Sequence, residues 1–289
     1  MDFLYTYLIL AEIYVLLGLS TNLLVGVVGI FSVSQAAVFG VGAYIVADFL
    51  LAGTLSFIPA IIIAAIACIV LNVLITLPSL RVAGDYFVVT SFGIQLLATA
   101  TFVNWTNGTG GANGLPGIPP PDIFGWQIAD TRGFLALTTV LAGLGCLGFF
   151  LLMRAPFGRL LRAIREDELA VAVAAAGKFV LRAKVEAAAL AGAFGGIAGG
   201  IYATFLSFID PFSFDLDASI LLLTMIVVGG ARTLGGSILG PFLLLALPQA
   251  LSLIAIPNAL AAPLRQLIYG VLLIAFALFR PQGLLGERL

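Results

Sequence analysis

The sequence predicts an all-α fold, a polytopic membrane helix bundle of about nine spans (eight to ten) that occupies residues 1–289 as a single domain. Composition is the first observation, because 62% of the residues are hydrophobic and only 9% are charged, whereas a soluble domain carries about 25% charged residues. A soluble fold of this composition would expose large apolar areas to water. Length is the second observation, since a span needs roughly 20 apolar residues to cross a hydrocarbon core of ~30 Å.

Nine apolar runs, separated by polar residues or by Gly and Pro, are the candidate spans. The run Ala218–Val228 is short for a full crossing, so it either extends toward Arg232 or forms a broken element. The stretch Gly26–Gly42 carries polar side chains among glycines, which is also typical of a re-entrant or interrupted helix lining a cavity. The runs are Tyr5–Val25, Ser34–Leu51, Ile58–Leu77, Tyr86–Asn104, Phe134–Met153, Val185–Phe205, Ala218–Val228, Ser237–Ile254 and Leu264–Phe279.

The basic residues predict which side of the membrane each loop occupies. Seven of the 13 Lys and Arg residues lie between Arg154 and Lys184, and the positive-inside rule places such a segment in the cytoplasm. Alternation through nine spans then places eleven of the 13 inside, and Arg132 and Arg265 are the two exceptions. This topology has an external N-terminus and a cytoplasmic C-terminus. The acidic residues that follow the sixth span fall outside; they are Asp210, Asp215 and Asp217.

Two loops stand out by their length. The external loop, about residues 105–131, is dominated by Gly and Pro and includes Pro119–Pro121, so we predict neither a helix nor a ladder strand in it. Loops this long in compact domains are usually functional or disordered, and a plain connector is the alternative. The cytoplasmic loop, about residues 154–184, reads RAPFGRLLRAIREDELAVAVAAAGKFVLRAK.

The cytoplasmic loop predicts one short amphipathic helix. Strong helix formers follow the turn signal of Pro156 and Gly158 without a breaker, and Gly177 ends the run as a C′ glycine does. A basic anchor in the lipid headgroups is one interpretation. The acidic triplet at 166–168 is a poor companion for anionic lipid, so a groove on a soluble partner fits better. The candidate contact residues are Arg159, Arg162, Arg165, Glu166, Asp167, Glu168, Leu169 and Ala172.

Seven stretches, in order along nearly the whole chain, carry a resemblance to a known family. They are LSTNLLVGVVGIFSVSQAAVFGVGAY, LRVAGDYFVVTSFG, TGGANGLPGIPPP, PFGRLLRAIREDELAVAVAAAG, GGIAGGIYATFLSFIDPFSF, VVGGARTLGGSILGP and LIYGVLLIAFALFRPQGLLG. Together they are specific, although each one alone would be weak. The chain resembles the permease subunit of bacterial branched-chain amino acid ABC importers, a group that also contains urea and short-amide permeases. The long Gly/Pro loop and the terminal FRPQGLLG fit the second, longer permease type.

The resemblance implies a location, a cargo and a set of partners. We expect a bacterial plasma (inner) membrane protein in contact with lipid, a second homologous permease subunit that completes a heterodimer, two cytoplasmic ATP-binding cassette subunits and a periplasmic solute-binding protein. The stretch Gly158–Gly177 would contain the coupling helix that docks on an ATPase subunit. Branched-chain amino acids are the expected cargo, with urea, short amides or other amino acids as alternatives. Gln35 departs from relatives that often have His there, so no cargo assignment rests on it.

The sequence indicates a transport subunit without chemistry of its own. It contains no G-x-x-x-x-G-K-[ST] loop and no His, the commonest metal ligand and general base. We therefore expect no enzyme activity, metal or cofactor, and ATP bound by partner subunits. The net charge of −1 gives no indication of nucleic acid. An ion-coupled carrier is a further alternative, but it would place carboxylates at mid-membrane, and we interpret Glu12 as lying at the outer interface of a span that starts at Ile13.

Polar and small residues inside the apolar runs complete the candidate sites. Buried polar side chains need hydrogen-bond partners. Ser32, Ser34, Gln35 and Thr90 are candidates for lining a translocation path, with plain interhelical bonding as the alternative. Glycines at four-residue spacing allow close helix approach, and we favour packing within the subunit over a seam with the second permease. These glycines are Gly192, Gly196 and Gly200.

Overall fold

The computed structural model describes residues 2–80, 84–123, 125–174, 178–253, 258–280 and 282–286. Its helices are α1 (Asp2–Thr21), α2 (Gln35–Leu51), α3 (Phe57–Thr76), α4 (Gly84–Asn104), α5 (Thr106–Thr109), α6 (Thr131–Arg154), α7 (Pro156–Glu166), α8 (Glu168–Ala174), α9 (Lys178–Leu206), α10 (Leu216–Gly229), α11 (Leu234–Leu253) and α12 (Asn258–Phe279). A π-helix over Asn22–Val28 extends α1. The strands are β1 (Leu115–Pro116), β2 (Asp122–Ile123), β3 (Trp126–Gln127) and β4 (Phe208–Ile209).

The all-α polytopic bundle is confirmed. In the described part of the chain, a long helix occupies each of the nine predicted runs. Five helical segments are long and apolar enough to cross a membrane by length and composition. The apolar parts of α2, α10, α11 and α12 are shorter. We call the end of the bundle that carries α7 and α8 the basic end, and the opposite end, with residues 105–130 and 207–215, the loop end.

The first connection is an interrupted helix, which is one of the two predicted alternatives. The π-helix ends at Gly29, whose φ of 83° is left-handed, and the following residues up to Ser34 are not helical. The α2 helix then begins at Gln35, whose side chain bonds Ser20 in α1 and Asn72 in α3. Both partners lie inside their helices, so α2 starts within the bundle and not at its edge.

The loop of residues 105–131 is a folded element and not a plain connector. Residues Thr106–Thr109 form the short helix α5, and strand β1 pairs with β4, which follows α9, so the prediction of neither a helix nor a ladder strand is wrong. Pro116 is tolerated because the pair is only two residues long and has a free edge. Gly114 has a φ of +71°, and a Cβ on it would lie 2.3 Å from the Ile209 carbonyl oxygen. The loop is therefore held against the α9–α10 connection.

The cytoplasmic-loop prediction of one unbroken helix is wrong. The chain is extended at Asp167, with φ −152° and ψ 97°, and this residue separates α7 from α8. The Asp167 carboxylate accepts a hydrogen bond from the Ala170 backbone N–H at 2.9 Å. Asp prefers such capping positions over helix interiors, so it breaks one helix and starts the next. The predicted stop at Gly177 lies outside the described residues.

Glu12 lies within the first candidate span, Phe3–Val28, so the predicted start of that span at Ile13 is wrong. The α1 helix begins at Asp2 and not at Ile13. The Glu12 carboxylate accepts hydrogen bonds from Thr138 and Thr139 of α6, the second at 2.7 Å. These hydroxyls satisfy a carboxylate that would otherwise be costly to bury.

The glycines of α9 lie at its contacts with α3 and α2. A Cβ on Gly192 would be 2.4 Å from the Cys68 carbonyl oxygen, and one on Gly196 would be 2.8 Å from the Cys68 Cβ. A Cβ on Gly200 would be 2.7 Å from the Val46 side chain. These three glycines therefore bring helices of one subunit together, as small residues do in membrane bundles.

Candidate functional site

Two arginines of α7 hold that helix against the bundle. The Arg165 guanidinium donates to the Val25 carbonyl of the π-helix at 3.1 Å, and Arg162 donates to the Met153 carbonyl at the end of α6 at 3.2 Å. Both carbonyls belong to helix ends, where basic side chains satisfy groups that lack an intrahelical partner. Leu161 and Ile164 are buried on the same face. The α7 helix therefore packs one face against the transmembrane helices.

The two glutamates of the acidic triplet pair with cations of the bundle, and their own side chains remain more than half exposed. Glu166 forms an ion pair with Arg232, which precedes α11, at 3.1 Å. Glu168 pairs with Lys184 of α9 at 2.6 Å, and Lys184 is only 7% exposed. Burial, then the nearby Arg232, lowers the pKa of the Arg165 guanidinium from its ordinary value, and Glu166 partly offsets this. Two of the three acidic residues, Glu166 and Glu168, thus pair with cations of the same chain, which their sequence position did not indicate.

We call α7 and α8 together the segment. The side chains that α8 exposes to the outside are mainly apolar. Leu169 is 78% exposed and Val173 is 85% exposed. They lie one helical turn apart and therefore on one face. Arg159 of α7 is exposed as well, whereas Ala172 is half-buried. We call Arg159, Leu169 and Val173 the outer face of the segment.

Hydrogen bonds of Asn22 and the ion pair of Arg232 connect the segment formed by α7 and α8 to the interrupted helix. The Asn22 amide in the π-helix donates to the Thr233 carbonyl at 3.0 Å and to the Ser237 hydroxyl at 2.7 Å. The Arg232 backbone N–H donates to the side-chain amide oxygen (Oδ1) of Asn22 at 2.8 Å. Because Arg232 pairs with the segment, α7 holds the π-helix through Asn22 as well as through Val25. π-Helical turns are frequent at functional sites.

A cavity of about 460 Å³ lies between the segment and the bundle. The side chains of Arg165, Glu168 and Lys184 line it together with Gly29. The Gly29 Cα faces the Arg165 stem so closely that a Cβ there would lie 3.1 Å from Cγ. Its remaining lining comes from the π-helix and the residues after it, from α7, and from the end of α10 and the residues after it: Val25, Val28, Ile30, Phe31, Ile164, Ile226, Val227 and Ala231.

Gln35 lies in a polar chain that connects four helices, α1, α2, α3 and α9. Its amide oxygen accepts from Ser20 at 3.1 Å, and its amide nitrogen donates to Asn72 at 3.3 Å. The Asn72 amide in turn donates to the Ala188 carbonyl of α9 at 2.8 Å. The predicted Ser32 and Ser34 bond one another at 2.9 Å beside it. Three of the four predicted path residues therefore lie together, and Gln35 bonds helix to helix.

A second polar centre forms around Gln95 of α4, which the sequence analysis missed. Its amide oxygen accepts from the Ala37 backbone N–H at 3.0 Å and from the Ser219 hydroxyl at 3.2 Å. Its amide nitrogen donates to the Phe214 carbonyl at 2.8 Å. Gln95 thus joins the first turn of α2 to the entry of α10. A lone Gln within an apolar run was the available signal.

Thr90 does not join this cluster within the described residues. Its hydroxyl donates to the Tyr86 carbonyl of its own helix at 2.9 Å. The next residue, Ser91, accepts the Val33 backbone N–H at 3.1 Å. One residue along a helix rotates the side chain by about 100°, so Ser91 and Gln95, four residues apart, share the inward face.

Gln95→Leu should lower the free energy of unfolding by about 1–3 kcal/mol, because the Ala37 N–H and the Phe214 carbonyl lose a buried partner. Thermal unfolding in detergent measures the change. Thr90→Val is the matched control on the same helix and should shift the midpoint little. Equal midpoints for the wild type and Gln95→Leu would contradict this role.

A family model and known proteins match nearly the whole sequence of this chain. A family model described as "Branched-chain amino acid transport system / permease component" matches residues 3–277. The chain is 30% identical over 304 residues to the "High-affinity branched-chain amino acid transport system permease protein LivM" of Escherichia coli (strain K12), covering 96% of this chain and 68% of the relative. The protein of that name from Salmonella typhimurium is 30% identical over 301 residues, covering 94% of this chain and 68% of the relative.

A third relative is also similar to this chain. The "Probable branched-chain amino acid transport permease protein LivM" of Methanocaldococcus jannaschii is 31% identical over 241 residues, covering 79% of this chain and 68% of the relative. No solved structure matches. The family match and these relatives agree with the helix bundle and with the resemblance carried by the seven stretches. The chain therefore belongs to the family of branched-chain amino acid transport system permease components.

Proposed function

We propose that this chain is one permease subunit of an ATP-driven importer that carries branched-chain amino acids across a bacterial plasma (inner) membrane. The observation that carries the proposal is the match over 96% of the chain to a relative named as a high-affinity permease for these solutes. The chain itself acts as a conduit and not as an enzyme. ATP is bound and hydrolysed by partner subunits.

The distribution of charge supports one orientation in the membrane. Arg154, Arg165, Lys184 and Arg232 lie at the basic end, which the positive-inside rule assigns to the cytoplasm. The loop end, with its acidic connection, then faces outward. A solute-binding protein would approach that end. A second permease subunit would complete the pore, and two ATP-binding cassette subunits would bind at the basic end.

The segment of α7 and α8 is the proposed contact with an ATPase subunit. Its outer face offers apolar side chains of Leu169 and Val173 beside the charge of Arg159. An amphipathic helix binds a partner by placing its apolar side chains in a groove, so these exposed side chains suit a groove on the ATPase subunit. The ion pairs of Glu168 with Lys184 of α9 and of Glu166 with Arg232, just before α11, hold the segment against the bundle. A movement of the partner would therefore reach the π-helix and the interruption at Gly29.

The test uses the assembled transporter in vesicles. Leu169→Asp with Val173→Asp should reduce co-purification of the ATPase subunits about tenfold or more, since two exposed apolar contacts are lost. Uptake of radiolabelled leucine should then fall to the background of empty vesicles. Leu284→Asp, an exposed leucine elsewhere at the basic end, is the control and should retain both.

Four outcomes would overturn parts of this proposal. Normal co-purification and uptake in the double variant would remove α8 from the ATPase contact. Loss of both in Leu284→Asp would show that any added charge at this end suffices. Leucine uptake driven by an ion gradient without ATP, or a preference for urea or short amides over leucine, would exclude the proposed energy source or cargo.

A further inference from the structure

A second cavity, of about 540 Å³, opens at the loop end between α10, α11 and α12. Small-molecule sites usually measure roughly 300–1,000 Å³. This cavity combines charged side chains with an apolar and aromatic floor. Its lining includes Asp215, Asp217, Ala218, Arg265 and Gln266.

Arg265 is the unusual residue in this cavity. It lies about two turns inside α12, which begins at Asn258, and it is one of two basic residues that break the positive-inside pattern. The apolar part of α12 begins at Pro263, so Arg265 lies near the outer end of its span and borders the cavity from there. The ion pairs found among the described residues do not include Arg265. Its guanidinium is exposed and borders the cavity.

Two carboxylates border the same cavity and are held in place. Asp215 caps α10 and accepts from the backbone N–H of Asp217 at 2.9 Å and of Ala218 at 3.2 Å. The Asp217 carboxylate accepts from the Gln266 amide of α12. Each carboxylate oxygen can accept more than one hydrogen bond, so both groups keep capacity toward the cavity. The acidic connection and the exceptional arginine are thus brought together only by folding.

The floor of the cavity is apolar. It is lined by Ile220 and Leu221 of α10 and by Leu245 of α11, all half-buried. The Tyr269 ring of α12 is buried, and its hydroxyl donates to the Leu244 carbonyl at 3.5 Å. The cavity therefore has charges of opposite sign at its border and an apolar floor on which a branched aliphatic group can pack.

We propose that this cavity is a recognition site for an α-amino acid with a branched apolar side chain. Arg265 binds the solute carboxylate, Asp215 and Asp217 bind its ammonium group, and the floor receives the side chain. A guanidinium fits a carboxylate as a bidentate donor. The solute class rests on the proposed function above, whereas the position of the site rests on the cavity alone. The site would receive solute released by the binding protein at the outer face.

The test is protection of a thiol in the cavity of the assembled transporter in lipid nanodiscs, without ATP. Ala218→Cys, in a Cys146→Ala background, is reacted with a membrane-impermeant maleimide. L-Leucine should slow the reaction in a saturable way, by about tenfold at ten times its Kd. 4-Methylpentanoate, which lacks the ammonium group, and 3-methylbutylamine, which lacks the carboxylate, should protect far less. Thr54→Cys, exposed in the α2–α3 turn outside the cavity, is the control and should react equally with or without leucine.

A second set of variants tests the charged residue directly. Arg265→Gln should abolish protection of Ala218→Cys, Arg265→Lys should restore part of it, and Arg132→Gln, the other exceptional arginine, should leave it intact. Protection that survives Arg265→Gln, or equal protection by leucine and both analogues, would overturn the site. So would a thiol at 218 that is unreactive even without leucine while Thr54→Cys reacts, because a lipid chain or a partner helix would then fill the cavity.

Failure of this proposal is distinguishable from failure of the proposed function. Protection is measured without ATP, so it does not depend on coupling to an ATPase. ATP-driven leucine uptake without protection would leave the importer in place and remove only this site. Protection without ATP-driven uptake would keep the site and remove the energy source.

Discussion

Gly192→Leu should abolish the yield of monodisperse protein, while Gly148→Leu should leave it unchanged. At Gly192 a new Cβ would lie 2.4 Å from the Cys68 carbonyl oxygen and 2.8 Å from its carbon. Neither atom belongs to a flexible side chain, so α3 and α9 must separate, and we expect a cost of at least about 3 kcal/mol. A Cβ on Gly148 of α6 would meet no heavy atom within 4 Å. Size-exclusion profiles of fluorescent fusions in detergent measure the difference.

The two glycine variants add the same side chain to a helix of the same bundle. A general effect of leucine on insertion would therefore appear in both. If Gly192→Leu gave the wild-type profile, the close contact of α3 and α9 would be wrong. A Gly192→Ala variant should fall between the wild type and Leu, because the methyl group meets the same carbonyl but adds less volume.

Glu168→Gln should release α8 from the bundle by leaving Lys184 with an unpaired charge. Lys184 is 7% exposed, and its ammonium lies 2.6 Å from the Glu168 carboxylate. Breaking a buried ion pair costs about 3–5 kcal/mol, and we expect about 2–4 kcal/mol here because Glu168 is half-exposed and screened by solvent. Hydrogen exchange of the α8 amides should accelerate, and the thermal midpoint should fall.

Two further variants separate the pair from a general charge effect. Glu168→Gln with Lys184→Met removes both charges and should recover most of the stability, since no buried charge is left unpaired. Glu186→Gln breaks the exposed Arg182–Glu186 pair, and an exposed helix pair is worth only about 0.3–0.5 kcal/mol. Equal losses in Glu168→Gln and Glu186→Gln would show that the Lys184 pair is no more important than a surface contact.

The ion pairs of Glu166 and Glu168 within the chain affect how variants of α7 and α8 should be interpreted. A substitution at Glu166 or Glu168 changes the attachment of α7 and α8 to the bundle. Its effect on coupling would therefore not report a partner contact directly. The exposed Leu169 and Val173 are better positions for that purpose.

The sequence by itself determined the membrane fold, the approximate position of all nine long helices and the family. Hydropathy is a local property, because each span must satisfy its own backbone and cover its own length of lipid. The predicted run Tyr86–Asn104, for example, differs from α4 only by two residues at its start. The interruption near Gly29 was also visible, since polar residues among glycines are a local signal.

Only the tertiary structure decided which polar groups meet. Gln95 and Ser219 are 124 residues apart, so no spacing along the chain predicts their hydrogen bond. The break at Asp167 depends on a single capping bond that competes with good helix formers around it. The partners of Glu168, and the meeting of Arg265 with Asp217 at one cavity, depend on how helices distant in sequence pack. Buried polar groups must find partners wherever the packed helices place them, and that placement is a property of the folded chain.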